Sequence, residues 1–261
     1  ISIGESAFKD CKSLNSITIP NSVTTIEVAV FNCCYNLTDI TIPNNITTIK
    51  DSAFRGCTSL TSITIPNNVT EIGEYAFGWC ENLQMIDIPN SITSVSLGAF
   101  YMCKSLTSIT IPDSVTKIGR SAFDGCKNLT NITIPNSVTE IGYEAFQRCI
   151  NLKRITIPNS VTMIGGSAFH WCDSLTSITT PSSIIEIEGG CFDDCKNLTR
   201  ANITYGVTEI GKFAFNKCKN LKIITIPDSV TIIGSGAFSF CKSLTSITLP
   251  DSVTEIGGHA F

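Results

Sequence analysis

Hydrophobic and polar residues follow one another along this chain in a pattern that returns every 23 residues. Phe takes the same place in every unit from Phe8 to Phe261, Cys follows three residues later, and Leu follows three residues after the Cys. Each unit continues as Ile-x-Ile-Pro, a polar turn, Val-x-x-Ile and usually Gly. A fixed period of this length predicts a solenoid, in which each unit buries its apolar side chains against the units before and after it.

Within one unit the pattern predicts two short strands and one turn. The Ile-Thr-Ile of "SLTSITIPDSV" (residues 105–115) is typical of a strand with one buried face. Pro ends this strand because it has no N–H for a ladder, and Pro-Asp-Ser favours a turn. Val-x-x-Ile predicts a second brief strand. The Ser-Ala-Phe-x-x-Cys segment, apolar at i, i+1 and i+4, predicts one turn of α-helix or 3₁₀-helix.

Stacking such units predicts one elongated solenoid, mainly β, over residues 1–261. About eleven units fit, and the chain begins and ends within a unit. We therefore expect a segment truncated at both ends, with any targeting signal outside it. The unit pattern fails most between residues 180 and 206, where Thr180, Ala201 and Thr204 replace Ile, Ile and Pro. A weaker coil or a bend is expected there.

Composition argues against several classes of partner. The net charge of −4 is small and dispersed, so a nucleic-acid backbone is not an expected ligand. No apolar run approaches the roughly 18 residues of a spanning helix, so no membrane span is predicted in this segment. No nucleophile motif lies near either of the two His, and the Gly residues occupy bends rather than a phosphate loop. We predict a non-enzymatic protein without cofactor, metal or small-molecule substrate.

The thirteen Cys allow more than one interpretation. Disulfides between coils and a zinc site are the chemically specific alternatives. Eleven of the Cys share the repeat column, however, and only Cys33 and Cys191 lie outside it. A residue used in the same way in every unit favours packing, with Cys as a small buried hydrophobe. We predict buried thiols.

The joined motif L-x-x-I-x-I-P and V-x-x-I-G-x-x-A-F-x-x-C resembles the BspA-like subclass of leucine-rich repeats, which has 23-residue units, and the likeness covers essentially the whole chain. The resemblance implies a right-handed superhelix with its parallel sheet on the concave face. It also implies a surface or secreted protein of bacteria or anaerobic protists that adheres to host matrix or to other cells.

Residues that interrupt the regular surface are the candidates for binding. The outward positions of the first strand are mostly Ser or Thr, and the concave face of a solenoid is where partners usually dock. Six of the exceptions are predicted to contact a partner: Met85, Asp87, Arg154, Arg200, Asn202 and Ile223. Trp79 and Trp171, the two tryptophans of the chain, share a second column and are secondary candidates. The alternative for them is shielding of the Phe column.

These observations predict a non-enzymatic protein-binding solenoid, part of a cell-surface or secreted adhesin that contacts host matrix or cell-surface proteins. Two alternatives stay open. Near-identical units also suit a spacer that holds another domain away from a surface, and an intracellular protein-interaction scaffold would use the same architecture.

Overall fold

The computed structural model describes residues 3–261 as a solenoid built from short parallel strands. Each coil offers two places for a strand, one in Ile-x-Ile and one in Val-x-x-Ile. The first place holds β1 (Ser16–Thr18), β3 (Asp39–Thr41), β5 (Ser62–Ile63), β7 (Met85–Ile86), β10 (Asn131–Thr133), β12 (Arg154–Thr156), β14 (Ser177–Thr179), β16 (Arg200–Asn202) and β18 (Ile223–Thr225).

The second place holds β2 (Thr25–Ile26), β4 (Thr48–Ile49), β6 (Glu71–Ile72), β8 (Ser94–Val95), β9 (Lys117–Ile118), β11 (Glu140–Ile141), β13 (Met163–Ile164), β15 (Glu186–Ile187), β17 (Glu209–Ile210), β19 (Ile232–Ile233) and β20 (Glu255–Ile256). All pairings are parallel and join residues one unit apart, such as Ile17 with Ile40. The second sheet is interrupted between β6 and β8 and again between β13 and β15.

The interior is a set of columns, of which the Phe column is the largest. Neighbouring Phe rings from Phe8 to Phe261 lie nearly parallel, with centroids 5.2–5.9 Å apart. Parallel strands lie only about 4.8 Å apart. The coils therefore spread on the Phe side, which leaves the first sheet on the concave side. The predicted class, a leucine-rich-repeat solenoid with its parallel sheet on the concave face, is confirmed.

The Cys column is held by hydrogen bonds as well as by packing. From Cys34 to Cys241, each column thiol donates to the carbonyl of the Phe in the preceding coil at 3.0–3.3 Å. All thirteen Cys are free, and the column is buried from Cys34 to Cys218. The prediction of buried thiols is confirmed. Burial raises the pKa of these thiols, for Cys34 to about 11.

The Ala-Phe segment corrects the sequence interpretation, because residues 3–261 contain no α-helix or 3₁₀-helix. Backbone N–H groups bond alternately within the coil and to the next coil: Cys11 donates to Phe8, while Phe8 donates to Val30. Two residues per coil, such as Ser6 and Asp10, take left-handed φ near +60°. These two reversals prevent a helix, and the bonds between coils hold the reversals in place.

The irregular unit near 180–206 satisfies its own polar groups. Thr180 is buried, and its hydroxyl lies 3.0 Å from that of Thr204. The Thr204 N–H, which a Pro would lack, donates to Thr180 Oγ1 at 3.0 Å. The first sheet runs through this unit as β14-β16-β18, but both sheets are broken just before it, between β12 and β14 and between β13 and β15. The expected weakness coincides with a break in both sheets at the start of this unit.

Candidate functional site

The strand face consists of the outward side chains of the first sheet and of the residues just before each strand. Along β3, β10, β12 and β14 the central residue is buried and its two neighbours are exposed. The outward residues are mostly Ser and Thr, which are small and uncharged. A larger or charged residue therefore stands out from this surface.

The strand face brings four of the six predicted residues close together. Arg200 pairs in register with Ile223 on one side and with Ser177 on the other. Asn202 is half-buried on the same strand, and Arg154 lies two coils earlier on β12. Ile223 is 46% exposed. At about 4.8 Å per coil, the two arginines lie about 10 Å apart along the sheet.

The two remaining strand-face candidates lie away from this cluster. Met85 is 63% exposed on β7. Asp87, two residues later, is also exposed, and its backbone forms an isolated β-bridge with Thr110 of the following coil. Three coils separate them from Arg154, which is about 14 Å along the sheet. The candidates therefore form two groups, one apolar and acidic and the other mainly basic.

Two lysines enlarge the basic group, and sequence reasoning missed them. Lys153 and Lys222 are exposed directly before β12 and β18. No ion pair within residues 3–261 involves either lysine, Arg154 or Arg200. The sequence does contain this basic pattern, because both lysines occupy the column one residue before that of Arg154 and Arg200. The strand face is locally basic from β12 to β18, although the chain has a net charge of −4.

A groove opens beside Arg154 in this basic part of the strand face. Its volume is about 490 Å³, and hydroxyl and amide groups line much of it. The polar lining includes Arg154, Asn159, Ser177, Thr179, Ser182 and Thr204. Guanidinium and hydroxyl donors suit carboxylates and backbone carbonyls of a partner.

The secondary candidates lie on the opposite side of the coil. We define the turn face as the outward side chains from two residues before to two residues after each Phe. Trp79 is half-buried there, with the Arg55 guanidinium 4.3 Å from its ring centroid. Trp171 is 39% exposed, and its indole N–H donates to Asp194 at 3.1 Å. Both tryptophans have left-handed φ near +59°.

Titratable groups on the turn face form ion pairs, and His170 with Asp193 is one of them. Burial lowers the pKa of His170, while Asp193, 3.4 Å away, opposes that shift. Residues 3–261 contain no cluster of three or more His, Cys, Asp or Glu that could hold a metal ion. No helix in the same range is long and apolar enough to cross a bilayer. Solenoids of this architecture are typically binding scaffolds that recognise proteins.

Comparison with known proteins agrees with this architecture. None of the curated proteins matches the chain. Among solved structures, a leucine-rich repeat protein from Bacteroides ovatus is 31% identical, with a TM-score of 0.72, over 100% of this chain and 79% of that one. One from Eubacterium ventriosum is 26% identical, with a TM-score of 0.70, over the same shares of both chains.

The family comparison covers every unit of the sequence. The BspA type leucine rich repeat region matches in overlapping stretches over residues 1–104, 51–175, 93–204 and 162–261. The stacked Phe, Cys and Leu columns and the parallel strands one unit apart are the physical form of that repeat. The chain belongs to the BspA type leucine-rich repeat family.

Proposed function

We propose that this chain is a non-enzymatic binding solenoid whose strand face engages protein partners, as part of a cell-surface or secreted adhesin. One observation carries the proposal. Between β12 and β18, a surface of otherwise uniform Ser and Thr presents four unpaired cations, the exposed Ile223 and a groove. The fold needs only small residues at these outward positions. Contact with a partner would account for the large and charged residues found there.

Three properties of the strand face favour binding: an ordered backbone, anchoring side chains and a positive electrostatic field. The strands hold the backbone before the partner arrives, so little conformational entropy is lost on binding. Arginine is enriched at interface positions that dominate affinity. The exposed cations attract an acidic partner surface at long range, and salt weakens that attraction.

Binding to immobilised protein tests the proposal. Purified matrix proteins and intact host cells are passed over the parent chain and over a variant with Arg154→Ala, Arg200→Ala and Ile223→Ala. We expect at least tenfold weaker binding by the triple variant, since two or three interface anchors together contribute about 1.4 kcal/mol or more. A matched control replaces three exposed residues outside the strand face, Lys9→Ala, Lys127→Ala and Phe240→Ala. Equal binding by parent, test and control variants rejects the strand face as the binding surface.

A spacer role is the alternative that a specific observation favours. In the coils of β1, β5 and β10 the outward residues are only Ser, Thr and Asn, which offer no anchor. A spacer predicts that neither variant changes attachment of the longer protein. It also predicts that removing whole 23-residue units shortens the reach of that protein.

Location on the cell is part of the proposal and has its own test. Protease added to intact cells that express the native protein should cleave it, while a cytosolic marker stays whole. Full protection of the chain would favour the intracellular scaffold instead.

A further inference from the structure

A second cleft lies on the turn face, far from the proposed docking surface. In most coils the position two residues before Phe holds a small residue, Ser, Ala or Gly. Four consecutive coils, of which the first and the last carry large residues at both turn positions, enclose about 460 Å³. The lining consists of Tyr75, Trp79, Leu97, Tyr101, Arg120, Ser121, Asp124, Glu144, Gln147 and Arg148.

One wall of the cleft is aromatic and held in a fixed arrangement. Trp79 and Tyr101 have centroids 4.5 Å apart, and Tyr75 lies 5.9 Å from Trp79 and 6.0 Å from Tyr101. The Tyr75 ring covers Gly98, where a Cβ would collide with it. Arg55 packs over the Trp79 ring. The wall is therefore ordered before any ligand arrives.

The opposite wall is polar and built on a buried carboxylate. Asp124 has a side chain 4% exposed and accepts two hydrogen bonds from Arg148, at 2.8 and 2.7 Å. The same guanidinium donates to the Tyr101 hydroxyl at 3.3 Å, which joins the two walls. Burial raises the pKa of Asp124 although Arg148 opposes the shift.

A second ion pair completes the polar wall. Arg120 lies 3.2 Å from Glu144 Oε2, and the Ser121 hydroxyl donates to that same oxygen at 3.1 Å. Within residues 3–261, no hydrogen bond involves Glu144 Oε1 or the side-chain amide of Gln147. Both groups remain able to bond a ligand.

These features select one class of ligand. The charges of two Arg and two acidic residues cancel, so the cleft does not favour an anion or a cation. Its polar wall offers donors and acceptors side by side, opposite an apolar aromatic wall. A sugar ring has the complementary surface, with a C–H face and hydroxyls that both donate and accept. We propose that this turn-face cleft binds a neutral oligosaccharide.

The length of the cleft supports an oligosaccharide rather than a single sugar. Its lining runs from the coil of Tyr75 to the coil of Arg148, across three coil spacings. At about 5 Å per coil, the lining extends for about 15 Å. The strand face lies on the other side of the coil, so both surfaces can be occupied at once.

Titration with defined neutral sugars tests the proposal. The probes are maltotetraose, cellotetraose, mannotetraose and chitotetraose, added to the whole chain and followed by calorimetry. We expect saturable binding of at least one probe and about tenfold weaker binding after Trp79→Ala, because the aromatic wall loses the ring that packs against both Tyr75 and Tyr101. Fluorescence in a Trp171→Phe background reports on Trp79 alone, and its emission should change with the same Kd.

Matched variants separate recognition from folding. Trp171→Ala removes the second tryptophan of the same column, four coils away, and should leave the Kd unchanged. Gln147→Ala removes only a free amide from the lining and should weaken binding several-fold without unfolding the chain. Failure of all four probes to bind overturns the proposal. So does equal loss with Trp79→Ala and Trp171→Ala, or tighter binding of a sulfated oligosaccharide than of any neutral probe.

Discussion

The strand face and the turn face tolerate variation in different ways. On the strand face side chains point outward, and an arginine such as Arg200 adds charge while its strand stays paired with the strands on both sides. On the turn face two residues of a coil have left-handed φ, and where they are large, as at Tyr75 and Phe213, their side chains lie against the following coil. A change on the strand face therefore affects one coil, whereas a change on the turn face affects two.

Glycine positions show this coupling between coils. Tyr75 lies over Gly98, and Phe213 lies over Gly236, in each case where a Cβ on the glycine would collide with the ring. Five of the six glycines with positive φ lie in the two turn-face columns, and each of them follows a larger residue one coil earlier. Those five are Gly56, Gly98, Gly125, Gly190 and Gly236.

The largest expected effect is a loss of stability at alkaline pH. It does not distinguish the two faces, because it arises in the interior that they share. Burial raises the pKa of the column thiols above the ordinary value of 9.0. The unfolded chain loses these protons above pH 9 and the folded chain keeps them, so stability falls as pH rises. About ten thiols at about 1.4 kcal/mol each give a loss on the order of 10 kcal/mol at pH 10. Urea titrations at pH 7.5, 9 and 10 measure it.

A variant with fewer thiols is the control for the alkaline effect. Cys126→Ala with Cys149→Ala should reduce the dependence of stability on pH by about 3 kcal/mol per pH unit above pH 9. Stability that stays level up to pH 10 in the parent chain would contradict the thiol explanation.

The next effect compares two arginines, one from each face. Arg148→Ala leaves the buried Asp124 carboxylate without its partner, and we expect about 3 kcal/mol of lost stability. Arg154→Ala removes an exposed, unpaired guanidinium and should change the free energy of unfolding by less than about 0.5 kcal/mol. Urea unfolding of both variants at pH 7 gives the comparison, and similar losses would show that the faces do not differ.

The smallest effect tests the coupling between a turn residue and its glycine. Gly98→Ala places a methyl group at positive φ under the Tyr75 ring, and we expect about 2 kcal/mol of destabilisation. Tyr75→Ala should recover about half of that, since the collision is removed and the backbone strain stays. A double-mutant cycle measures the interaction energy. As a control on the strand face, Ser108→Arg should leave the free energy of unfolding nearly unchanged. An interaction energy near zero in the cycle would contradict the contact between Tyr75 and Gly98.

The sequence was informative wherever one residue type recurs at one position. The Phe, Cys, Leu and Ile columns, the strands ending before Pro and the buried thiols could all be predicted from the 23-residue period. The turn could not be identified, because apolar residues at i, i+1 and i+4 fit a helical turn equally well. Glycines in two columns, such as Gly56 and Gly98, were the available signal for left-handed backbone.

The candidate site was only partly predictable, for a similar reason. A column of outward strand residues identified Arg154 and Arg200, but the charge of Lys153 and Lys222 belongs to the adjacent column. The turn-face cleft joins residues from four coils and several columns, so no single column indicates it. Trp79 is the one lining residue that the sequence suggested, and the structure supplies its neighbours.

The overlap of a turn side chain with the coil after it has a consequence for how such a protein grows by gene duplication. Copying a coil whose turn residues are small reproduces every contact. A copy of the Tyr75 coil alone, inserted directly after the original, would place a second tyrosine at the position that Gly98 now occupies under the Tyr75 ring. The smallest safely duplicated segment is then 46 residues, the coil together with its glycine-bearing successor.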